Sequence, residues 1–320
     1  MNNNILVTGA NGQIGQILTQ ELSKIEGNKI FATDINISNT CSYLNILEQD
    51  SLSKIIEKHN ITQIYHLAAI LSARGEQNPI QTWDTNMQGL LNVLEAARLY
   101  KLDKIFFPST IAVFGTGINQ NFTANYSALH PTTVYGISKA AGENWCQYYH
   151  DKYDIDVRSL RYPGVIGWQT MPGGGTTDYA IDIFHQLIQY GKYTCFLDKD
   201  VTLPMLYMED AINAAIQLMD TPRENIKNRA SYNIAGCSFN PQQLFDKIAH
   251  YINKPVQIEY QPDFRNNIAK SWPYVIDDSL ARQDWGWKAN FDLDKIVLDM
   301  LENCTKIYTH FDGGEAKFAH

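Results

Sequence analysis

The sequence predicts an α/β fold, a doubly wound parallel sheet followed by a smaller C-terminal α/β region. Three observations carry this. Short β-branched runs alternate with helical stretches through the first half of the chain. Three glycines crowd the first strand-to-helix turn. Past Arg161 the alternation gives way to a segment rich in Gly and Pro.

Taken in order, Ile5-Leu6-Val7 reads as a strand and Ile14 to Ile25 as a helix. Lys29 to Thr33 is the second strand and Ser51 to His59 the second helix, and Ile64 to Ala68 and Ile105 to Pro108 are further buried strands. Between those two, Asp84 to Tyr100 repeats apolar residues at Met87, Leu90, Leu91, Leu94 and Ala97, the spacing of one helix face. Helices alternating with short apolar strands imply a parallel sheet covered on both faces. Right-handed crossovers then make it doubly wound. Gly164 to Thr177 reads as loop rather than sheet. Pro241 to Tyr251 and Val256 to Tyr260 suit a small lid, and Ser231 to Ala235 suits a return to the main sheet. The expected division sets residues 1–163, rejoined by part of 203–238, against a substrate-binding region of 164–202 and 239–305. Residues 306–320 form the expected tail, which has little apolar periodicity from Tyr308 onward and should fray.

At 320 residues the chain suits one large α/β unit or a domain with a smaller companion. Hydrophobic residues at 44% and charged residues at 19% are ordinary for a soluble globular protein. The net charge is −8, with Lys and Arg scattered. That argues against nucleic acid, which needs clustered cations to displace counterions. No apolar run approaches a bilayer span, and the start of the chain has no signal-peptide pattern, so no membrane role is expected. Cys41, Cys146, Cys195, Cys237 and Cys304 are widely spaced with no C-x-x-C. Neither a disulfide framework nor a metal site is expected, and a reduced, cytoplasmic protein is.

The first turn reads Gly9-Ala10-Asn11-Gly12-Gln13-Ile14-Gly15. Gly9 permits the tight turn, Gly12 lets the backbone approach a pyrophosphate, and Gly15 lets the helix pack closely on the sheet. The positive end of the helix then faces the phosphates. A glycine-rich turn with no ligand is the plain alternative. Asp34, at the end of the second strand and about 20 residues on, weighs against it, because a carboxylate there accepts ribose hydroxyls. It would also repel a 2′-phosphate, and no Arg or Lys follows in residues 35–38, so NAD is favoured over NADP.

Val134-Tyr135-Gly136-Ile137-Ser138-Lys139 opens a later helix. Tyr135 and Lys139, four apart, share one of its faces. Alone, such a pair usually marks a solvated surface. Here it follows the dinucleotide turn and the hydroxyl-bearing Ser109-Thr110, and the three features in this order resemble the extended short-chain dehydrogenase/reductase family, with its Rossmann sheet. Taking a hydride from a carbinol carbon requires the hydroxyl proton to leave too. A phenol with a pKa of about 10 needs a neighbouring cation to serve as the base near neutrality. The resemblance implies Tyr135 as that base, Lys139 tuning it and holding the nicotinamide ribose, and Thr110 bonding the reacting oxygen, with Ser109 as fallback. It also implies that Asn45 meets the adenine where the family has an acid. Leu67-Ala68-Ala69 wraps the adenosine half, Asn86 supports the site, and Tyr162-Pro163 passes the nicotinamide. His66 is expected to be a packed strand residue.

Outside that core, several pieces look like the short-chain-type L-threonine 3-dehydrogenases. They are Arg161 to Trp168, Pro172 to Ala180, Leu206 to Ala211, Ser271-Trp272-Pro273 and Asp277 to Trp287. The resemblance implies zinc-independent oxidation of L-threonine to 2-amino-3-oxobutyrate, which loses carbon dioxide or passes to a coenzyme-A-dependent lyase. It also implies a homodimer paired through the helices 84–100 and 135–153. A zwitterionic substrate needs donors and an acceptor: Ser72, Thr176, Thr177 and Asp178 are candidates, with Trp272 as a wall. Residues 176–178 could equally cap the helix from Tyr179. Trp285 and Trp287 are expected in the core. Two rivals stay open. A nucleotide-sugar epimerase/dehydratase would draw on Lys254, Arg265 and Lys270 for its diphosphate. A non-catalytic NAD-sensing protein would bind without turnover.

Overall fold

The computed structural model describes residues 3–309 apart from Gly174. The chain opens with β1 (Asn3–Thr8), whose last four residues are buried, and passes into α1 (Gln13–Ser23). There follow β2 (Asn28–Asp34), β3 (Ser42–Tyr43), α2 (Gln49–His59) and β4 (Gln63–His66). Next come α3 (Ser72–Gly75), the long α4 (Pro79–Tyr100), β5 (Lys104–Thr110), α5 (Val134–Tyr153) and β6 (Val157–Tyr162). The remainder holds β7 (Gly164–Ile166), α6 (Tyr179–Tyr190), β8 (Lys192–Cys195), β9 (Leu203–Tyr207) and α7 (Met208–Asp220). It continues with β10 (Tyr232–Asn233), β11 (Cys237–Phe239), α8 (Pro241–Tyr251), β12 (Gln257–Tyr260), α9 (Phe264–Lys270), α10 (Ser279–Trp285) and α11 (Leu293–Thr309).

Seven parallel strands form the main sheet in the order β10-β6-β5-β4-β1-β2-β3. Alternate residues of each strand feed opposite layers, as the pleat requires. Leu6, Ile64, Ile105 and Val157 pack with Leu52, Leu90 and Leu94 of the helices on one face. Ile5, Val7, Tyr65 and Leu160 pack with Leu18, Leu22 and Leu218 on the other. The winding direction reverses between β1 and β4, so a crevice opens at their carboxyl ends, where ligands of such sheets bind. The doubly wound fold expected from the sequence is the fold observed.

Two expectations need correction. Residues 164–177 are not loop throughout: β7 pairs in parallel with β9, and β9 pairs with β11, making a second, three-stranded sheet. Gly164 lets β7 lie close to its neighbours, since a Cβ there would come within 2.3 Å of Met205 Sδ and 2.9 Å of Thr177 Cβ and force those side chains to shift. Nor does fraying begin at 306, since α11 continues to Thr309 with Tyr308 Oη 2.8 Å from His185 Nδ1 on α6. Residues 310–320 of the expected tail lie outside the described residues. Trp285 and Trp287 are buried against α7, as expected. No helix among the described residues is long and apolar enough to cross a membrane.

Candidate active site

The turn after β1 is built around Gly9, which takes φ +69°. A Cβ there would sit 2.6 Å from the Ala68 nitrogen, so only glycine lets the loops after β1 and β4 meet. Leu67 and Ala68 donate their N–H groups back to the Thr8 carbonyl and hydroxyl, at 3.0 and 3.4 Å, with Ala69 next in line. Gly15 packs α1 onto the turn, where a Cβ would strike the Gly9 carbonyl at 2.3 Å. Gly12 is the N-cap of α1. No side chain caps the helix and its first turn, which includes Gln13 and Ile14, holds no acid, so the N-terminus is free for an anion. Asp34 closes the opposite side. Its carboxylate accepts from Asn11 N at 3.1 Å and Asn36 N at 2.9 Å, leaving lone pairs for ribose hydroxyls. The Asn11 side chain bridges to Asn36 O and Ser38 Oγ, which fixes the loop beyond β2. Asn45 turns its own chain by accepting from Leu47 N and keeps its amide donors. An uncapped helix start facing a carboxylate across a glycine turn fits a dinucleotide.

The second half of the crevice is set by α5. Thr133 caps it by accepting from Gly136 N at 3.1 Å, and Glu76 accepts from Val134 N at 2.8 Å. Tyr135 and Lys139 then sit one turn apart. The Thr110 hydroxyl accepts from Ala112 N at 3.3 Å and lies beside the Tyr135 phenol, where it favours the phenolate. Lys139 Nζ donates to the Pro108 carbonyl at 2.8 Å and lies 5.8 Å from the Tyr135 ring centre. Burial pushes the phenol up to about 12, opposed by the Thr110 hydroxyl, and brings the ammonium down to about 7, opposed by Cys146 and Glu143. The free site is therefore not poised by Lys139 alone.

Several expected residues are used differently. Ser109 does not back up Thr110. Its hydroxyl donates to Glu143 at 2.5 Å, since neighbours on a strand face opposite sides. Tyr162 buries its side chain and donates to the Ala211 carbonyl at 2.9 Å, and Pro163 beside it is buried too, so the phenol of Tyr162 is not offered to a ligand. Asn86 spends its amide on both backbone groups of Ile70 and on Ser138, holding the loop that leads to Ser72. His66 is packed against Phe107, with Nδ1 2.9 Å from the Thr8 hydroxyl.

Asp178 occupies the N-cap position of α6 but caps nothing. Its carboxylate turns back to accept from Gly173 N at 2.7 Å and Gly175 N at 2.8 Å, so it shapes the glycine loop. Beside it, Thr177 is half-buried, and Thr176 is buried with a hydroxyl that has no protein partner. Trp272 is built into the core around α6 and β9. The three cations suited to a diphosphate all have partners. Lys254 donates to Ile188 O, Arg265 pairs with Asp263 over the Phe196 ring, and Lys270 pairs with Asp198. Sequence reasoning missed Glu76 and Glu143. The second was visible as the next step of the Tyr135–Lys139 spacing.

Residues 5–235 match the NAD dependent epimerase/dehydratase family. An uncharacterized epimerase/dehydratase of Staphylococcus saprophyticus is 40% identical over 315 residues, covering 94% of this chain and 98% of the relative. Among solved structures, a GalE-like L-threonine dehydrogenase from Cupriavidus necator in its holo form has 49% identity and a TM-score of 0.92, with 94% of this chain and 99% of that one covered. A protein described as a monomeric L-threonine 3-dehydrogenase from a metagenome has 41% identity and a TM-score of 0.91, with 95% and 99% covered. With the glycine turn, Asp34 and the Tyr135–Lys139 pair in place, this chain belongs to the NAD dependent epimerase/dehydratase family and takes NAD as its cofactor.

Proposed function

We propose that the chain is a zinc-independent L-threonine 3-dehydrogenase, oxidising the side-chain hydroxyl of L-threonine to 2-amino-3-oxobutyrate. The observation that carries the reading is the near-complete overlap with solved L-threonine dehydrogenases at up to 49% identity. NAD, held at the glycine turn and Asp34, would supply the hydride acceptor and, in its oxidised form, a positive charge that favours phenolate. Tyr135 accepts the hydroxyl proton, Thr110 orients the reacting oxygen, and Lys139 stabilises the phenolate and holds the ribose. Ser72 and the threonines of the glycine loop serve the substrate carboxylate, Asp178 the ammonium, and Trp272 backs the pocket. Residues 164–202 and 239–305 form the substrate side, residues 1–163 with β10 the cofactor side. The protein works as a homodimer in the cytoplasm, where its thiols stay reduced.

The test is NADH formation by purified protein with NAD and L-threonine, beside L-allo-threonine, L-serine and 3-hydroxybutyrate. Dependence on L-threonine, lost in Tyr135→Phe, establishes the reading. The name of the staphylococcal relative favours one second reading, a nucleotide-sugar epimerase or dehydratase. Against it stand the engaged side chains of Lys254, Arg265 and Lys270. No NADH from any of the four alcohols, with turnover of a UDP-sugar, would establish it instead.

A further inference from the structure

α3 is a single turn that packs against both α4 and α5. Gly75 allows the close fit. A Cβ there would meet the Thr82 and Val134 side chains at 3.1 and 3.6 Å, and the Thr82 hydroxyl reaches the Gly75 and Asn78 carbonyls at 3.2 and 2.9 Å. The Glu76 N–H donates to the Ser72 carbonyl at 3.2 Å, a helical bond over four residues. Ser72 and Glu76 therefore lie on one face of the turn. From that face Glu76 Oε1 accepts from Val134 N at 2.8 Å, and Val134 is the residue before Tyr135.

The same segment is tied to α5 a second time, upstream of Ser72. Asn86 on α4 accepts from Ile70 N at 2.8 Å and donates to Ile70 O and Ser138 Oγ at 3.0 and 3.1 Å. The Ser138 hydroxyl donates in turn to the Tyr135 carbonyl at 2.8 Å. Residues 70–76 thus hang between two struts, Asn86 before Ser72 and Glu76 after it, and each ends at Tyr135 or its neighbour. Thr133 already caps α5 through Gly136 N, so the start of the helix does not depend on Glu76. What depends on Glu76 is where the α3 turn sits against it. We infer that Glu76 is a positioning residue for the substrate: it holds the Ser72 hydroxyl, assigned above to the substrate carboxylate, at a set distance from the Tyr135 phenol. In threonine a single carbon separates the carboxylate from the carbinol, so a shift in the carboxylate seat carries the carbinol with it. A misplacement of about 1 Å can cost about a hundredfold in rate. The NAD-binding turn is built by Gly9 and Asp34, whose hydrogen bonds do not involve Glu76.

The inference rests on the proposed roles of Ser72 and Tyr135, and a double-mutant cycle on kcat/KM for L-threonine tests it. Glu76 is exposed, so its truncation leaves no cavity. Glu76→Ala should lower kcat/KM at least about tenfold, with KM for NAD changed by less than about threefold. Glu76→Gln keeps an oxygen for Val134 N and should recover activity to within about threefold of the native chain. Ser72→Ala should itself lower kcat/KM, and in that background Glu76→Ala should cost less than about twofold more, because the strut then has nothing to place. A role confined to the stability of α5 would add its full cost there. Additive losses, a Glu76→Gln no better than Glu76→Ala, or a native-like Glu76→Ala each overturn the proposal. If the native chain makes no NADH from threonine, the substrate reading fails and the strut with it. An active native chain with additive losses fails the strut alone.

Discussion

The Asp34 carboxylate accepts the Asn11 N–H at 3.1 Å, tying the end of β2 to the turn after β1. The negative charge thus stands at the mouth of the dinucleotide crevice, with the loop beyond it held by Asn11. A 2′-phosphate brought there would meet a fixed carboxylate. Asp34→Ser should raise KM for NAD at least about tenfold, the value of one charge-assisted bond, and narrow the preference over NADP. Initial rates with both cofactors measure it. An unchanged ratio would mean that Asp34 does not touch the ribose.

The Tyr135–Lys139 pair must give up a proton before it can take one. Burial raises the phenol to about 12, so little of it is ionised near pH 7. Because the required form has lost a proton, kcat/KM should rise from neutral into alkaline pH. Tyr135→Phe should lower kcat by about two to four orders of magnitude and abolish the rise. Thr110→Val removes the hydroxyl beside the phenol that favours phenolate and would orient the reacting oxygen, and should cost roughly ten- to a hundredfold. A flat profile, with a deuterium isotope effect showing that hydride transfer limits the rate, would contradict Tyr135 as base.

What the sequence made legible here is what depends on local spacing. A strand, three glycines and a helix lie within residues 3–23, and Tyr135 and Lys139 lie on one face wherever a helix forms. The illegible parts depend on partners distant in the chain. The hydroxyl of Ser109 is claimed by Glu143, 34 positions on, and Glu143 by Arg161, 18 further. β7 is a strand because β9, some 40 residues later, accepts it. Asp178 lies at a helix start, where a cap was one reading, but a helical φ and ψ turn its carboxylate toward Gly173 and Gly175 instead.

His66 sets a limit on acid stability. Burial, then the Lys139 ammonium, brings its imidazole down to about 3. The unfolded chain therefore takes up the proton first, near pH 6.5. Stability is full above that value and is lost as pH falls from 6.5 toward 3, up to about 5 kcal/mol at roughly 1.4 kcal/mol per unit. His66→Gln, which keeps an acceptor for Thr8, should be somewhat less stable at pH 7 and lose less between pH 7 and 4. Urea midpoints at the two pH values measure this. An equal loss in both proteins would assign the acid limb to other groups.

The proposed homodimer makes a demand on α4 and α5. These packed helices leave Ile80, Trp83, Ile137, Trp145 and Tyr148 exposed, and Trp145 and Tyr148 meet edge to face at 5.6 Å. Large apolar side chains gathered on neighbouring helices are costly in water and suit the core of a protein interface. A two-fold axis would set each helix pair against its copy. Sedimentation at micromolar concentration should give a dimer, and Trp145→Glu should raise its dissociation constant at least about tenfold by placing a charge in that core. A similar protein is described as monomeric, so the native chain itself is the decisive sample. A monomer there, with full activity toward threonine, would mean that this face is free and that the active site is complete in one chain.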